Sequence, residues 1–550
     1  MLGSLTVAAL PIDEDDARKE AEKVLGKAVE VQQVSRSRSA VKSEEHPAYY
    51  FFNAADGQGF ALISGENDEE PLLGYSLKGH LSDTEELPDA LKALLDTYEQ
   101  HVAALRNGET TPTEPAASSN ALGIRRAAGA KPLLETEWGQ GTPFNNLCPI
   151  LKDQHCLTGC VATALGQLLY YWKWPVKGTG YASGKDTDGE TIHGSLEHEY
   201  NWNAMQSTAA GNLASEESAL AVAQLLYDCG LAVGMQWGLE GSGAQNPTGA
   251  LYRNFSYIPT TLRTYVRDAF ESDRDYLNII FNEIDAGRPV YQSAADVGGT
   301  GGHAYIIDGY SAEGLVHVNW GWNGTANAYY NITKMNPMNF TYTIRQQIVV
   351  GIQPARNGET GTPTAYPYVG EGFSTTQKIG DKLRYSSLSF SISMGNIYNY
   401  NGEDHTWIMS VGLFDTKNNL IEVIATGRDG NTEVSLQPGY YRQAGTTATC
   451  KLAQKSYADG DYAIRMIFKE NDGEWMLPDA AGGLKGNAIY IKLAGKYITF
   501  TDGSDYIAAG IDAVNVETGR ASSALYDLQG RKVKSPGKGI YIRNGRKVIY

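Results

Sequence analysis

Hydrophobic side chains recur along this chain with two periods, and the switches between them outline its elements. Residues 13–25 have an acidic first turn followed by helical spacing, which predicts a helix. Apolar residues at 48–52, the turn Asp56-Gly57-Gln58-Gly59 and apolar residues at 60–63 then predict a hairpin. Residues 87–105 return to helical spacing, with a stripe at Leu91, Leu94, Leu95 and Tyr98. Val161, Leu165, Leu168, Leu169 and Trp172 predict another helix, which should stop before Pro175. Residues 215–227 form an Ala/Leu-rich helical pattern, and strands are predicted at 287–291, 304–310 and 315–320.

Beyond Pro354 alternation takes over, at Leu388, Phe390, Ile392 and Met394, then over 407–413, 420–424 and 462–468. Short alternating strands with polar turns predict a β-sandwich across about 365–500. Two hairpins should close the chain, at 525–533 and 539–549, the second with the tight turn Asn544-Gly545. Residues 107–131 differ from all of this. They are rich in Thr, Pro, Ala, Ser and Gly, with Arg125-Arg126 among them. Such a strip buries too little to stay ordered unaided, and proteolytic nicking concentrates in segments of this kind. Maturation cleavage is therefore expected there. The units expected are a leading α+β domain (1–107), a linker (108–131), a central domain (132–355), a sandwich (356–503) and a tail (504–550).

Composition narrows the picture. A chain of 550 residues is too long for one core. Its formal charge of −17 excludes nucleic acid as the main partner, since phosphate binding needs a basic footprint. The 34 tyrosines favour β-structure. Five cysteines are an odd and dilute set, which argues against a disulfide framework. Cys156, Cys160 and His155 fall short of a metal site, so neither metal nor cofactor is expected. No stretch approaches the ~20 apolar residues of a membrane span. The apolar run 5–10 is compatible with the end of a signal peptide.

The chemistry concentrates at Gln154-His155-Cys156-Leu157-Thr158-Gly159-Cys160. A cysteine on an apolar helical face is by itself more often an inert core residue. Cys160, however, falls in the first turn of its helix, after a glycine, where unpaired N–H groups favour thiolate. A cysteine nucleophile also needs a base and an oxyanion donor. Gln154, six residues earlier, is the candidate donor across a tight turn. His303 is the candidate base, because Gly302 and the glycines before it let backbone approach closely, as a substrate cleft requires. His317 is a rival imidazole, but it sits inside a strand among bulky neighbours.

Three runs in order carry a family resemblance: Gly159-Cys160-Val161-Ala162-Thr163-Ala164, Gly302-His303-Ala304-Tyr305-Ile306-Ile307-Asp308-Gly309 and His317-Val318-Asn319-Trp320-Gly321-Trp322. They resemble the streptopain family of papain-like cysteine peptidases, secreted enzymes made as zymogens, over roughly residues 10–355. The implied fold class is α+β: a papain-like domain preceded by an α+β propeptide and followed by an all-β sandwich. The resemblance implies that residues 1–107 assist folding and block the site as an intramolecular inhibitor, and that proteins or peptides are the substrates. It also implies that Asn319 or Trp320 supports the histidine, that Trp322 walls the groove and that Ser242 contacts substrate. Adjacent strand residues face opposite ways, so Asn319 and Trp320 cannot both face the imidazole without a bulge. The tail resembles C-terminal domains of exported proteins from Bacteroides-like bacteria, which implies a secreted or surface location. Other classes stay open: a cysteine acyltransferase or amidase, or an adhesin that binds through the sandwich.

Overall fold

The computed structural model describes residues 11–34, 47–66, 71–81, 87, 89–106, 128–207, 215–267, 270, 273–295, 302–332, 346–370, 372–375, 382–383, 388–426, 432–443, 447–452, 457–478, 488–501 and 503, with short strands between 525 and 549. The expected cleavage strip thus lies almost wholly outside the described residues. Helices and strands mix as far as Val350, and beyond it the described elements are strands.

Helix α1 (Glu14–Leu25) starts where Asp13 Oδ1 accepts the Asp16 N–H at 2.9 Å and stops at Gly26 in the left-handed region. It lies over strands β1 (Val29–Val34), β2 (Tyr49–Ala54), β3 (Phe60–Ser64) and β4 (Leu72–Ser76), burying Ala17, Ala21 and Leu25 against Phe52 and Ile63. Helix α2 (Asp89–Arg106) buries Leu91, Leu94, Leu95 and Tyr98, the stripe read from the sequence.

The central unit begins with a hairpin, β5 (Ile150–Leu151) and β6 (Gln154–His155), and enters helix α3 (Cys160–Trp172). Strands β7 (Tyr181–Asp186) and β8 (Thr191–Ser195) follow, then helix α4 (Glu216–Ala232), capped by Ser215. Next come β9 (Gln236–Trp237), α5 (Thr248–Arg253), β10 (Arg263–Val266) and α6 (Asp273–Asp285). Strands β11 (Val290–Ala295), β12 (Gly302–Tyr310), β13 (Val316–Asn319), β14 (Ala328–Tyr330) and β15 (Gln347–Val350) complete it.

One ten-stranded sheet runs through both units in the order β1-β2-β3-β4-β14-β13-β12-β11-β15-β10. The seam is the antiparallel pair β4–β14, with Tyr75 opposite Tyr329 and Gly74 opposite Tyr330. On one face, Ala304 and Ile306 of β12 pack with α3 and α4. On the other, Tyr305 and Ile307 join a core that includes Leu91 and Leu95 of α2 and Ile280 of α6. The leading unit therefore contributes to the core of the central one. Hydrophobic periodicity predicted neither β4 nor β14 and could not show this pairing, which joins residues some 250 positions apart.

After residue 365, two antiparallel sheets enclose a separate core around Trp407, Val411, Ile464, Phe468 and Cys450. A third, small sheet pairs Tyr368–Val369, Ile397–Tyr398 and Tyr441–Arg442. Near the end, Leu525 pairs with both Val533 and Arg543, so the two expected hairpins join in one four-stranded sheet.

A Cβ on Gly74 would meet the Tyr330 ring at 2.8 Å and the Tyr329 carbonyl at 2.9 Å. Overpacking of this kind typically costs about 1–3 kcal/mol. Gly74→Val should therefore lower the thermal unfolding midpoint of the full chain, read by circular dichroism. An unchanged midpoint would mean that the seam is not tightly packed.

Candidate active site

Two features place Cys160 at the first residue of α3. Gly159 adopts φ +89°, and its backbone C=O accepts the Thr163 N–H at 3.0 Å. A Cβ at Gly159 would meet the Met235 methyl at 2.5 Å, so the bend before the cysteine has room only for glycine. Ser242 braces the same bend. Its Oγ donates to the Leu157 carbonyl at 3.0 Å and accepts the Gly238 N–H at 3.0 Å.

Cys160 is 9% exposed. Burial pushes its thiol toward the neutral form, but the His303 imidazole, by its charge and by a hydrogen bond, acts the other way. The backbone N–H groups of Ala304 and Val161 add to that pull, and the balance holds Cys160 below the ordinary thiol value. The other cysteines lack this company. Burial, with the nearby Cys156 thiol, pushes Cys148 up to about 12, and burial alone pushes Cys450 up to about 12.

His303 lies at the start of β12, and its Nε2 is 3.1 Å from the Trp320 carbonyl. A carbonyl only accepts, so Nε2 carries a proton in either state of the ring and Nδ1 is the nitrogen that titrates. Gly302, just before it, is exposed and pairs with Ala295.

Asn319 and Trp320 turn to opposite sides, as adjacent strand positions do. Asn319 is buried; its Nδ2 donates to the Thr136 carbonyl at 2.6 Å, and its Oδ1 accepts Gln167 Nε2 at 3.3 Å and the Gly321 N–H at 3.1 Å. The Trp320 indole, 1% exposed, packs on Tyr305 and Tyr330 and donates to the Ala326 carbonyl at 3.0 Å. Asn319 therefore spends its amide away from the imidazole, and Trp320 reaches the histidine through its backbone carbonyl. The indole beside His303 belongs to Trp322, edge-on with ring centroids 6.4 Å apart. The rival His317 is held at 2.6 Å by the buried Asp308 carboxylate and packs on Tyr329.

Gln154 is not part of this cluster. Lys152 and Asp153 take φ +48° and +61°, turning the β5–β6 hairpin so that Gln154 sits exposed on β6 opposite Leu151. Counting six residues along the chain missed this reversal. Gln140, which the spacing passed over, is 7% exposed, and its backbone C=O accepts the Thr158 N–H at 3.0 Å, two residues before the nucleophile position. Among the described residues its side-chain amide has no hydrogen-bond partner. The available signal in the sequence is the run Trp138-Gly139-Gln140.

A thiol of lowered pKa, bonded to an imidazole at a helix start, is the apparatus of a cysteine hydrolase. Comparison with known proteins agrees. The Peptidase C10 family profile matches residues 138–330, and the Spi protease inhibitor profile matches residues 9–102. The chain is 31% identical over 380 residues to the thiol protease/hemagglutinin PrtT of Porphyromonas gingivalis, covering 65% of this chain and 42% of that protein. It is 28% identical over 335 residues to streptopain of Streptococcus pyogenes, covering 56% of this chain and 80% of streptopain. Among solved structures, a prointerpain A fragment from Prevotella intermedia is 32% identical, with a TM-score of 0.49, covering 59% of this chain and 98% of that one. Active interpain A from the same organism is 37% identical, with a TM-score of 0.36, covering 41% and 96%. The chain belongs to the Peptidase C10 family of cysteine peptidases, with an inhibitor-type leading domain.

Alkylation of Cys160 by iodoacetamide, followed by mass spectrometry across pH, should show its inflection below the ~8.5 of a free thiol. His303→Ala removes the charge and hydrogen bond but leaves the burial, so the inflection should move upward. An inflection in His303→Ala equal to the wild type would break the assigned pairing.

Proposed function

We propose that this chain is the zymogen of a secreted cysteine endopeptidase. The observation that carries this reading is the Cys160–His303 pair, in which a buried thiol is held below its ordinary pKa by an imidazole and by helix-start N–H groups. The Cys160 thiolate attacks the peptide carbonyl carbon. The resulting oxyanion takes hydrogen bonds from the Cys160 backbone N–H and the Gln140 side-chain amide. The His303 imidazolium gives its proton to the leaving amine, and the neutral ring then takes one from the water that releases the acyl group. The Trp320 carbonyl fixes the ring through Nε2, Trp322 walls the groove, and Ser242 and Gly302 border the bound chain.

Residues 1–107 act as the intramolecular inhibitor, joined to residues 132–355 by the β4–β14 seam and the shared core. Cleavage within 107–131 starts their release. The units after residue 355 are accessory, and export rests on the family resemblance. Proteins or peptides are the substrates, and no cofactor takes part.

Cys160→Ala should abolish casein hydrolysis and leave the purified chain uncut. Terminal sequencing of processed wild type should place the new N-terminus within 107–131. If pure Cys160→Ala still matured itself, the nucleophile would be misassigned. Loss of one oxyanion donor typically costs about 2.7–4 kcal/mol, so Gln140→Ala should lower kcat about 100- to 1,000-fold. Gln154→Ala, at an exposed hairpin position, should stay near wild type. The reverse order would return the donor role to Gln154.

A further inference from the structure

The small sheet ahead of the sandwich bears a file of tyrosines. Tyr398 stacks on Tyr441 at 5.2 Å and on Tyr400 at 5.6 Å, and Tyr368 lies 5.5 Å from Tyr398. The file ends at the turn Gln437-Pro438-Gly439-Tyr440, whose tip is anchored from inside. Asn399, fully buried, accepts the Gly439 N–H through its carbonyl at 2.8 Å and donates its own N–H to the Tyr440 carbonyl at 3.0 Å. Its side-chain amide donates to the Leu436 and Glu403 carbonyls. Beyond this anchor Tyr440 and Tyr441 are 62% and 56% exposed, and among the described residues the Tyr440 ring stacks on no other aromatic ring. Holding two large aromatic side chains in water on a fixed backbone is what binding surfaces do.

The position of the turn names the ligand. Asn246 Nδ2 donates to the Tyr400 carbonyl at 3.3 Å, and Tyr252 and Arg253 of α5 engage Glu403. A Cβ on Gly439 would lie 3.6 Å from Gln245 Oε1. Gln245 is exposed, and three residues before it Ser242 braces the bend at Gly159. The tyrosine turn on the accessory unit thus stands beside Gln245, three residues along the chain from the serine that packs against the nucleophile bend.

We infer that Tyr440 and Tyr441 form an extension of the substrate cleft that holds an extended polypeptide segment of a protein substrate beyond the residues flanking the scissile bond. This rests on the peptidase reading above. Exposed tyrosines suit that ligand: each ring covers apolar side chains of variable identity while its hydroxyl pairs with peptide groups, at little cost in rotamer entropy. Because the turn stands away from the reacting atoms, it tightens binding of long substrates and does nothing for short ones.

The test compares matured wild-type enzyme with Tyr440→Ala and with Tyr440→Ala/Tyr441→Ala, on casein and on a tetrapeptide amide. Loss of two aromatic contacts should raise KM for casein about five- to tenfold in the double variant, with kcat unchanged. The tetrapeptide kcat/KM should stay at the wild-type value, which also reports that the catalytic unit is folded. Should the double variant lose tetrapeptide activity through misfolding, Tyr440→Ala alone decides, because that side chain is 62% exposed. Unchanged casein kinetics, or equal losses on both substrates, would overturn the inference. A wild-type enzyme inactive on both would instead sink the peptidase reading on which it rests.

Discussion

Burial and ionisation oppose each other at Cys160, and most of the site can be understood as the means by which ionisation wins. A sulfur 9% exposed would ordinarily stay protonated, as Cys148 and Cys450 do when burial pushes each up to about 12. Only Cys160 has an imidazole within hydrogen-bond reach together with N–H groups from a helix start and from β12. That combination needs two elements distant in sequence to arrive at one point. The sheet supplies the required rigidity: β12 lies between β11 and β13, with α3 packed on its Ala304–Ile306 face. A residue at the rim of such a strand has little freedom to drift from its partner.

The two histidines show how the same ring is put to different ends by its neighbours. His317 faces the buried Asp308 carboxylate, whose second oxygen accepts the Leu134 N–H at 2.9 Å. Residues 130–134 are thereby tied along β12, since Ala130 and Tyr310 also exchange backbone hydrogen bonds and Leu133 donates to the Asp308 carbonyl. His317 thus belongs to the fastening of the segment that follows the cleavage strip. His303 is held instead by a neutral carbonyl, that of Trp320, which fixes the ring through Nε2.

What the sequence made legible was whatever depends on neighbours along the chain. Helical spacing from Val161 to Trp172 and strand alternation around Ile306 and Val318 predicted the elements that hold Cys160 and His303, and the quoted motifs contain both residues. The errors came where chain distance and spatial distance part. Gln154 looked close because six residues are few, yet two left-handed residues at Lys152 and Asp153 turn it outward. Gln140 is far from Cys160 along the chain and was not singled out by spacing, yet one backbone bond to Thr158 brings its loop beside the nucleophile bend. Asn319, Trp320 and Trp322 sat in one quoted motif, but alternation sends the first two to opposite faces and leaves the third beside the imidazole. Spacing could not assign those roles, because they depend on where one strand ends.

The seam between the leading unit and the rest follows from the same physics and constrains how the inhibitor can leave. Strand β14 offers an edge that β4 covers, and an uncovered edge invites pairing with any extended chain. The core on that side is also shared, with Leu91, Leu95 and Tyr98 of α2 against residues such as Ile280 and Tyr330. Tyr98 further donates to the Asn331 carbonyl at 2.7 Å, just past that edge. Cutting the linker changes none of these contacts. It only converts an intramolecular partner into a separate one, whose hold then depends on concentration. On the maturation proposed above, release follows from dilution or from further cleavage of the leading unit, and a single nick in the linker is not sufficient.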